Sequence, residues 1–192
     1  MGIVQSLVQN ISYDTAIINP LIAKSNLGLA NITAARAVKL TTITPIVKKQ
    51  IVEVTSICLG DAVSINNFLI RNLAQLNGNS CNIILNGIYS GIYPANLLGQ
   101  IQGVLSTIIL GLGISNTALT NSYIYLAKAR AAVVAANALA TASGKAVTAK
   151  RTAFTSSLTQ LKTAATTVST NLTAIKLKYA LMNSSISKIN NT

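Results

Sequence analysis

From Val147 to Ile189, apolar residues return every seven positions. With Val147 at position d, the later d positions hold Phe154, Leu161, Val168, Ile175, Met182 and Ile189. The matching a positions hold Arg151, Leu158, Ala165, Leu172, Tyr179 and Ile186. Residues spaced alternately three and four apart fall on one line of an α-helix, whereas a strand would scatter them over both faces. So narrow a stripe is covered only by another helix, which predicts an all-α fold with a coiled-coil-like seam. The seam residues are Val147, Phe154, Leu158, Leu161, Val168, Leu172, Ile175, Tyr179, Met182 and Ile186. Unbroken from about Lys145 to Lys188, the segment is a rod of roughly 65 Å at 1.5 Å per residue. That length predicts an assembly arm whose partner is a second copy of the chain.

The flanks of the seam hold Thr, Ser, Ala and Lys, and no acid. Thr costs a helix a few tenths of a kcal/mol relative to Ala, so packing must hold this helix together. The missing acids are a property of the whole chain. Lys and Arg number 15 against three acids, Asp14, Glu53 and Asp61, and there is no His, so the net charge is +12. No carboxylate side chain occurs after Asp61. Charged residues make up 9% of the chain, where about a quarter is usual. Protonating every carboxylate adds only three charges, so acid has few stabilising carboxylate contacts to remove. The expectation is service in acid, outside a neutral cytoplasm.

Composition divides the chain into three zones. Residues 1–76 form an N-terminal helical region containing every acid. Within it, Pro20 and Gly28 predict a kink or break, and Pro45 predicts a helix start. Gly60 is expected just past the end of that helix, with Asp61 capping a further helix whose Val63, Phe68 and Leu69 face inward. Residues 77–114 form an apolar, glycine-containing central segment without charge, inside a longer run from Asn72 to Ala127 that has no charged side chain. A helix follows Pro94, buried in a packed assembly. Gly87 with Gly91, and Gly99 with Gly103, have the small-xxx-small spacing that lets helices approach closely, in membranes especially. The competing reading places 82–114 against lipid, although Asn96, Gln100 and Gln102 dilute a run that barely reaches the roughly 20 residues of a span. Residues 115–192 read as a long helical hairpin, capped at Ser115 or Asn116 and turning at Gly144.

Groups able to do chemistry are scarce. Without His, and with three carboxylates and two distant cysteines, no zinc site, Ser-His-Asp triad or glycosidase carboxylate pair can be assembled. No phosphate-binding loop motif occurs, and no feature singles out one Ser for a Ser-Lys dyad. The chain is expected to be neither an enzyme nor a cofactor protein. Cys58 and Cys81 are read as buried thiols, since two cysteines do not make a disulfide framework. The opening MGIVQS matches the myristoylation pattern, but that pattern is short. Four close pairs of bases, Lys48 and Lys49, Lys128 and Arg130, Lys150 and Arg151, Lys176 and Lys178, are candidate contacts for phosphates or an anionic surface. The paucity of aromatics argues against stacking on single-stranded bases.

Few charges, abundant Ala, Thr, Ser and Asn, no Trp or His and long helices together resemble the helical coat proteins of viruses that infect thermoacidophilic archaea. The resemblance lies in composition and helix pattern along the whole chain and involves no diagnostic motif. It implies a virion or filament subunit that packs by helix–helix contact, in some cases around DNA and in others with lipid. The leading expectation is therefore a structural subunit of a self-assembling virion or extracellular filament, present in many copies. Two alternatives stand beside it. One is a membrane-interacting envelope or pore-forming protein that uses 82–114, and the other a nucleoprotein that coats duplex DNA without sequence preference.

Overall fold

The computed structural model describes residues 2–37, 44–74, 86, 90–91 and 95–190, the side chains of 2–15, 35–37, 183 and 185–190 excepted. The described residues form four long helices and no strand, so the all-α expectation holds. Helix α1 spans Gly2–Ala37 and α2 spans Pro45–Ala74. A 3-10 turn, Ala95–Leu97, leads into α3, Leu98–Thr141, and α4 spans Ala146–Asn190.

The seven-residue stripe recognised in α4 has a counterpart on every other helix. Buried positions on α1 are Ile18, Leu21, Ser25, Gly28 and Ile32. On α2 they include Ile51, Thr55, Cys58, Ala62, Ile65, Leu69 and Asn72. On α3 they run through Ile101, Val104, Ile108, Gly111, Ser115, Ala118, Ser122, Tyr125, Ala129, Ala132, Ala136 and Leu139. All alternate three and four apart, which is the spacing that lets side chains interlock between nearly parallel helices. On α3 the stripe is mostly Gly, Ser and Ala, while α4 supplies Phe154, Leu158, Leu161, Leu172 and Tyr179. Burying a side chain such as Leu158 or Phe154 contributes about 1.5–3 kcal/mol.

The chain divides into two compact units, and each helix contributes to both. Unit 1 comprises Met1–Pro20, Phe68–Leu119 and Asn171–Thr192. Its core includes Ile18, Phe68, Leu69, Ile108, Ala118, Leu172, Ile175, Tyr179 and Met182. Here the Ser115 hydroxyl donates to Asn72 Oδ1 at 3.0 Å, joining α3 to α2. Unit 2 comprises Leu21–Asn67 and Thr120–Thr170. Its core includes Ile32, Ile65, Tyr125, Leu139, Phe154, Leu158, Leu161 and Val168. In it Asn66 Nδ2 donates to Ser122 Oγ at 2.8 Å, and the Ser169 hydroxyl donates to Asn26 Oδ1 at 3.1 Å.

Several expected boundaries are corrected. Of the kink or break expected at Pro20 and Gly28, the break is absent: helix α1 continues through both. Pro20 is exposed and lies off the buried stripe, so its ring and missing N–H burden the solvent side while Ile18 and Leu21 keep packing. Helix α2 likewise continues through Gly60 and Asp61, because the stripe passes from Cys58 to Ala62 without interruption. Phe68 and Leu69 face inward as expected, whereas Val63 is 40% exposed and its neighbour Ala62 takes the core position. Ser115 does not cap a helix. It is buried in the middle of α3, whose first residue is Leu98, so the hairpin's first arm begins well before the expected boundary.

Two of the expected helix ends are present. Thr44 Oγ1 accepts the Val47 N–H at 3.2 Å, capping α2 just before Pro45. Gly144 adopts φ +58, the left-handed conformation that ends a helix at little cost to glycine, and the chain reverses there between α3 and α4.

Candidate assembly surface

The C-terminal seam is used inside the chain. Phe154, Leu158, Leu161, Val168, Leu172, Ile175, Tyr179 and Met182 are all buried by the chain's own helices. Val147 is half-exposed, and the side chain of Ile186 lies outside the described residues. This corrects the expectation that the seam waits for a second copy: its large side chains fill the space left by Gly, Ser and Ala on the other helices. A Cβ built on Gly111 would lie 2.6 Å from Met182 Cε, so the end of the Met182 side chain occupies the space a side chain at 111 would need.

The glycines singled out for close packing are placed differently. Gly99 and Gly103 are exposed, and a Cβ on either would meet nothing within 4 Å. Gly91 is an exposed turn residue with φ +65, and Gly87 lies outside the described residues. The glycine that another helix's side chain packs against is Gly111 instead, beneath Met182. The spacing of Gly111, Ser115, Ala118 and Ser122 carries that signal, but a search for large apolar residues passes over it.

What remains on the outside is unusually apolar. Helix α3, with its leading turn, is the one described helix long and apolar enough to cross a membrane, yet only 22% of its most apolar window is buried. The burial expected for this helix is burial in a packed assembly, and the single chain covers only part of it. In unit 1, Ile109 and Leu110 are 55% and 59% exposed, and Leu177 and Leu181 on α4 are 63% and 53% exposed. Unit 2 carries its own exposed set, among them Tyr123, Ile124 and Val134 on α3 and Ile57 on α2. A groove of about 320 Å³ in unit 2 separates α3 from α4 and is lined by Asn121, Ile124, Lys128, Thr159, Gln160 and Thr163 among others.

Threonine forms much of the surface of α4. The hydroxyls of Thr152, Thr159, Thr163, Thr166, Thr167 and Thr170 each donate to the carbonyl four residues earlier, at 2.9–3.2 Å. Each proton is thereby used within the helix, leaving a methyl group and an acceptor oxygen to the exterior. Such a surface is polar without being charged, and it does not titrate.

The basic pairs separate between the units. Lys48 and Lys49 lie in unit 2, where Lys49 Nζ is 4.0 Å from Glu53 Oε1, both side chains being well exposed. Lys128 is half-buried and donates to Gln160 Oε1 at 2.8 Å, while Arg130 is exposed. Lys150 is exposed and Arg151 half-buried at the start of α4. Lys176 and Lys178 belong to unit 1.

A polar cluster that the sequence did not reveal lies inside unit 2. Gly28 faces both Asp61 Oδ2 and Tyr125 Oη, each 3.8 Å from where its Cβ would be. Tyr125 is fully buried, and its hydroxyl has no protein partner, as is also true of Ser25 Oγ. Burial raises the Asp61 carboxyl above its ordinary value of 3.8, an effect the Lys24 ammonium opposes. Burial, and secondarily the Asp61 charge, push the free thiol of Cys58 up to about 11. Such a thiol is a poor nucleophile, and Cys58 serves as a small core residue. Among the described residues, no three His, Cys, Asp or Glu side chains converge as metal ligands would. No family model, curated protein or solved structure matches the chain.

Proposed function

We propose that the chain is a structural subunit of a virion or extracellular filament, assembling in many copies through helix–helix contacts and tolerating acid. One observation carries the reading: the four interlocking stripes complete a core within one chain, yet large aliphatic residues remain outside. Ile109 and Leu110 are more than half exposed on a helix segment without a single charge. An exposed apolar surface of this kind marks an interaction site, and Gly99 and Gly103 leave open space beside it. The scarcity of acids supports the acid-tolerant part of the reading, since few native contacts depend on an ionised carboxylate.

The test is sedimentation and negative-stain microscopy at pH 3 and pH 7, comparing the natural chain with Leu110→Lys. Regular particles or filaments are expected at both pH values, with assembly lost in the variant and its helix content unchanged. A dilute monomer at both pH values sinks the proposal. A second reading draws on the same helix. Its low burial and its length suit contact with lipid, in an envelope or pore-forming protein. Flotation with liposomes separates the two, because a subunit covered by other copies stays out of the lipid fraction.

A further inference from the structure

Unit 2 ends where α2 begins and where α3 turns into α4. Two hydrogen bonds farther along unit 2 set the register, Asn66 to Ser122 between α2 and α3, and Lys128 to Gln160 between α3 and α4. Both helix pairs are antiparallel. Counting outward from these bonds brings Lys48 and Lys49 level with Ala140 and Leu139 of α3, and those residues level with Thr148 and Ala149 of α4. Lys150 and Arg151 follow within one helical turn, and exposed Lys145 stands in the turn itself. Folding thus brings two basic pairs, far apart in sequence, to one end of unit 2.

The surroundings at this end suit an oxyanion. Neither α2 nor α4 has an acid in its first turn, where helices ordinarily favour one. Glu53, next to Lys49, is the one acid within a turn of these bases along either helix. Exposed Thr44, Ser143 and Thr148 add hydroxyls. Arg151 Nε is shielded from water and has no acceptor in the protein, so one donor of a partly desolvated guanidinium is unmet.

We propose that this end of unit 2 binds the phosphate backbone of duplex nucleic acid, without sequence preference, through Lys48, Lys49, Lys145, Lys150 and Arg151. Bases with flanking hydroxyls are the usual partners of phosphodiester oxygens. A lipid surface calls for inserted apolar side chains as well. Over 44–49 and 142–152, Ile46 is the one exposed large aliphatic residue. No aromatic side chain there is exposed for stacking on single strands. The inference stands whether or not the chain assembles as proposed above.

The experiment titrates the full chain with a mixed-sequence 30-base-pair duplex at several salt concentrations. The variant K48Q/K49Q/K150Q/R151Q is compared with K24Q/K162Q/K176Q/K178Q, which removes the same charge elsewhere. The first is expected to bind about tenfold more weakly or worse at moderate salt, its salt slope flattening by about 0.9 for each phosphate it no longer neutralises. The second is expected to keep the natural slope. Lysine acetylation of the natural chain, read by mass spectrometry, provides a check independent of any variant's folding. Duplex is expected to protect Lys48, Lys49, Lys145 and Lys150 while Lys176 and Lys178 remain reactive. Equal weakening in both variants, uniform protection, or binding to phosphatidylserine vesicles without binding to duplex overturns the proposal.

Discussion

Asp61 shows how one acid can favour the fold in acid. Its carboxyl titrates above the ordinary 3.8 because the folded chain removes it from water. The folded state therefore holds the proton more tightly than the unfolded state does. The stability from this group is fully present below about 3.8 and is lost as pH rises through the raised value. Asp61→Asn is expected to be more stable than the natural chain at pH 7 and to show a smaller difference in denaturation midpoint between pH 3 and pH 7. An unchanged or larger difference refutes the assignment. The glycines of α3 provide a second contrast. Gly103→Ala, where a Cβ meets open space, should gain about 1 kcal/mol from helix propensity. Gly111→Leu, where even a Cβ crowds Met182 Cε, should lose about 1–3 kcal/mol through overpacking. Thermal unfolding of the two variants checks both signs.

Pairing between helices is fixed by more than apolar fit. The stripes of α2 and α3 contain many small residues, and such stripes can slide past one another at modest cost. Two buried polar pairs oppose sliding: Asn72 with Ser115 in unit 1, and Asn66 with Ser122 in unit 2. Asn72→Leu should cost about 1–3 kcal/mol, because the Ser115 hydroxyl loses its acceptor in a buried place. Asn72→Leu combined with Ser115→Ala should recover much of that loss, with a coupling of about 0.5–3 kcal/mol in denaturant unfolding. Simple additivity would remove the pair's role. The threonines of α4 act on the same level of structure. Their hydroxyls bond back to their own helix, so they weaken its intrinsic propensity while presenting an uncharged exterior.

Net charge governs how copies meet. At +12, with three acids to lose, every copy repels every other at all ordinary pH values. Apolar contact through α3 must overcome that repulsion, and salt screens it over about 30 Å at 0.01 M but about 8 Å at 0.15 M. Assembly, measured as sedimentable mass, is therefore expected to increase over that range, whereas duplex binding weakens. A decrease in assembly with salt would mean that ion pairs hold the copies together.

Much of the fold could be read directly from the residues. The stripe from Val147 to Ile189 required a helix covered by another helix, because alternate spacings of three and four align side chains along one line. The shortage of groups for catalysis and the near constancy of charge with pH also follow from composition alone. Three matters depended on the packed chain. The small-residue stripe of α3 has the right spacing but is not singled out by it, because α3 is apolar on several sides and the buried line does not stand out from the exposed one. The helices run on through Pro20, Gly60 and Ser115, where a kink or break, an end and a cap are expected, because local propensities of about 1–3 kcal/mol are outweighed when a continuous stripe passes through them. The partner of the α4 seam was beyond any local pattern. A heptad states that a helix will be covered, but only the volumes left by Gly, Ser and Ala elsewhere in the chain decide that the cover comes from within.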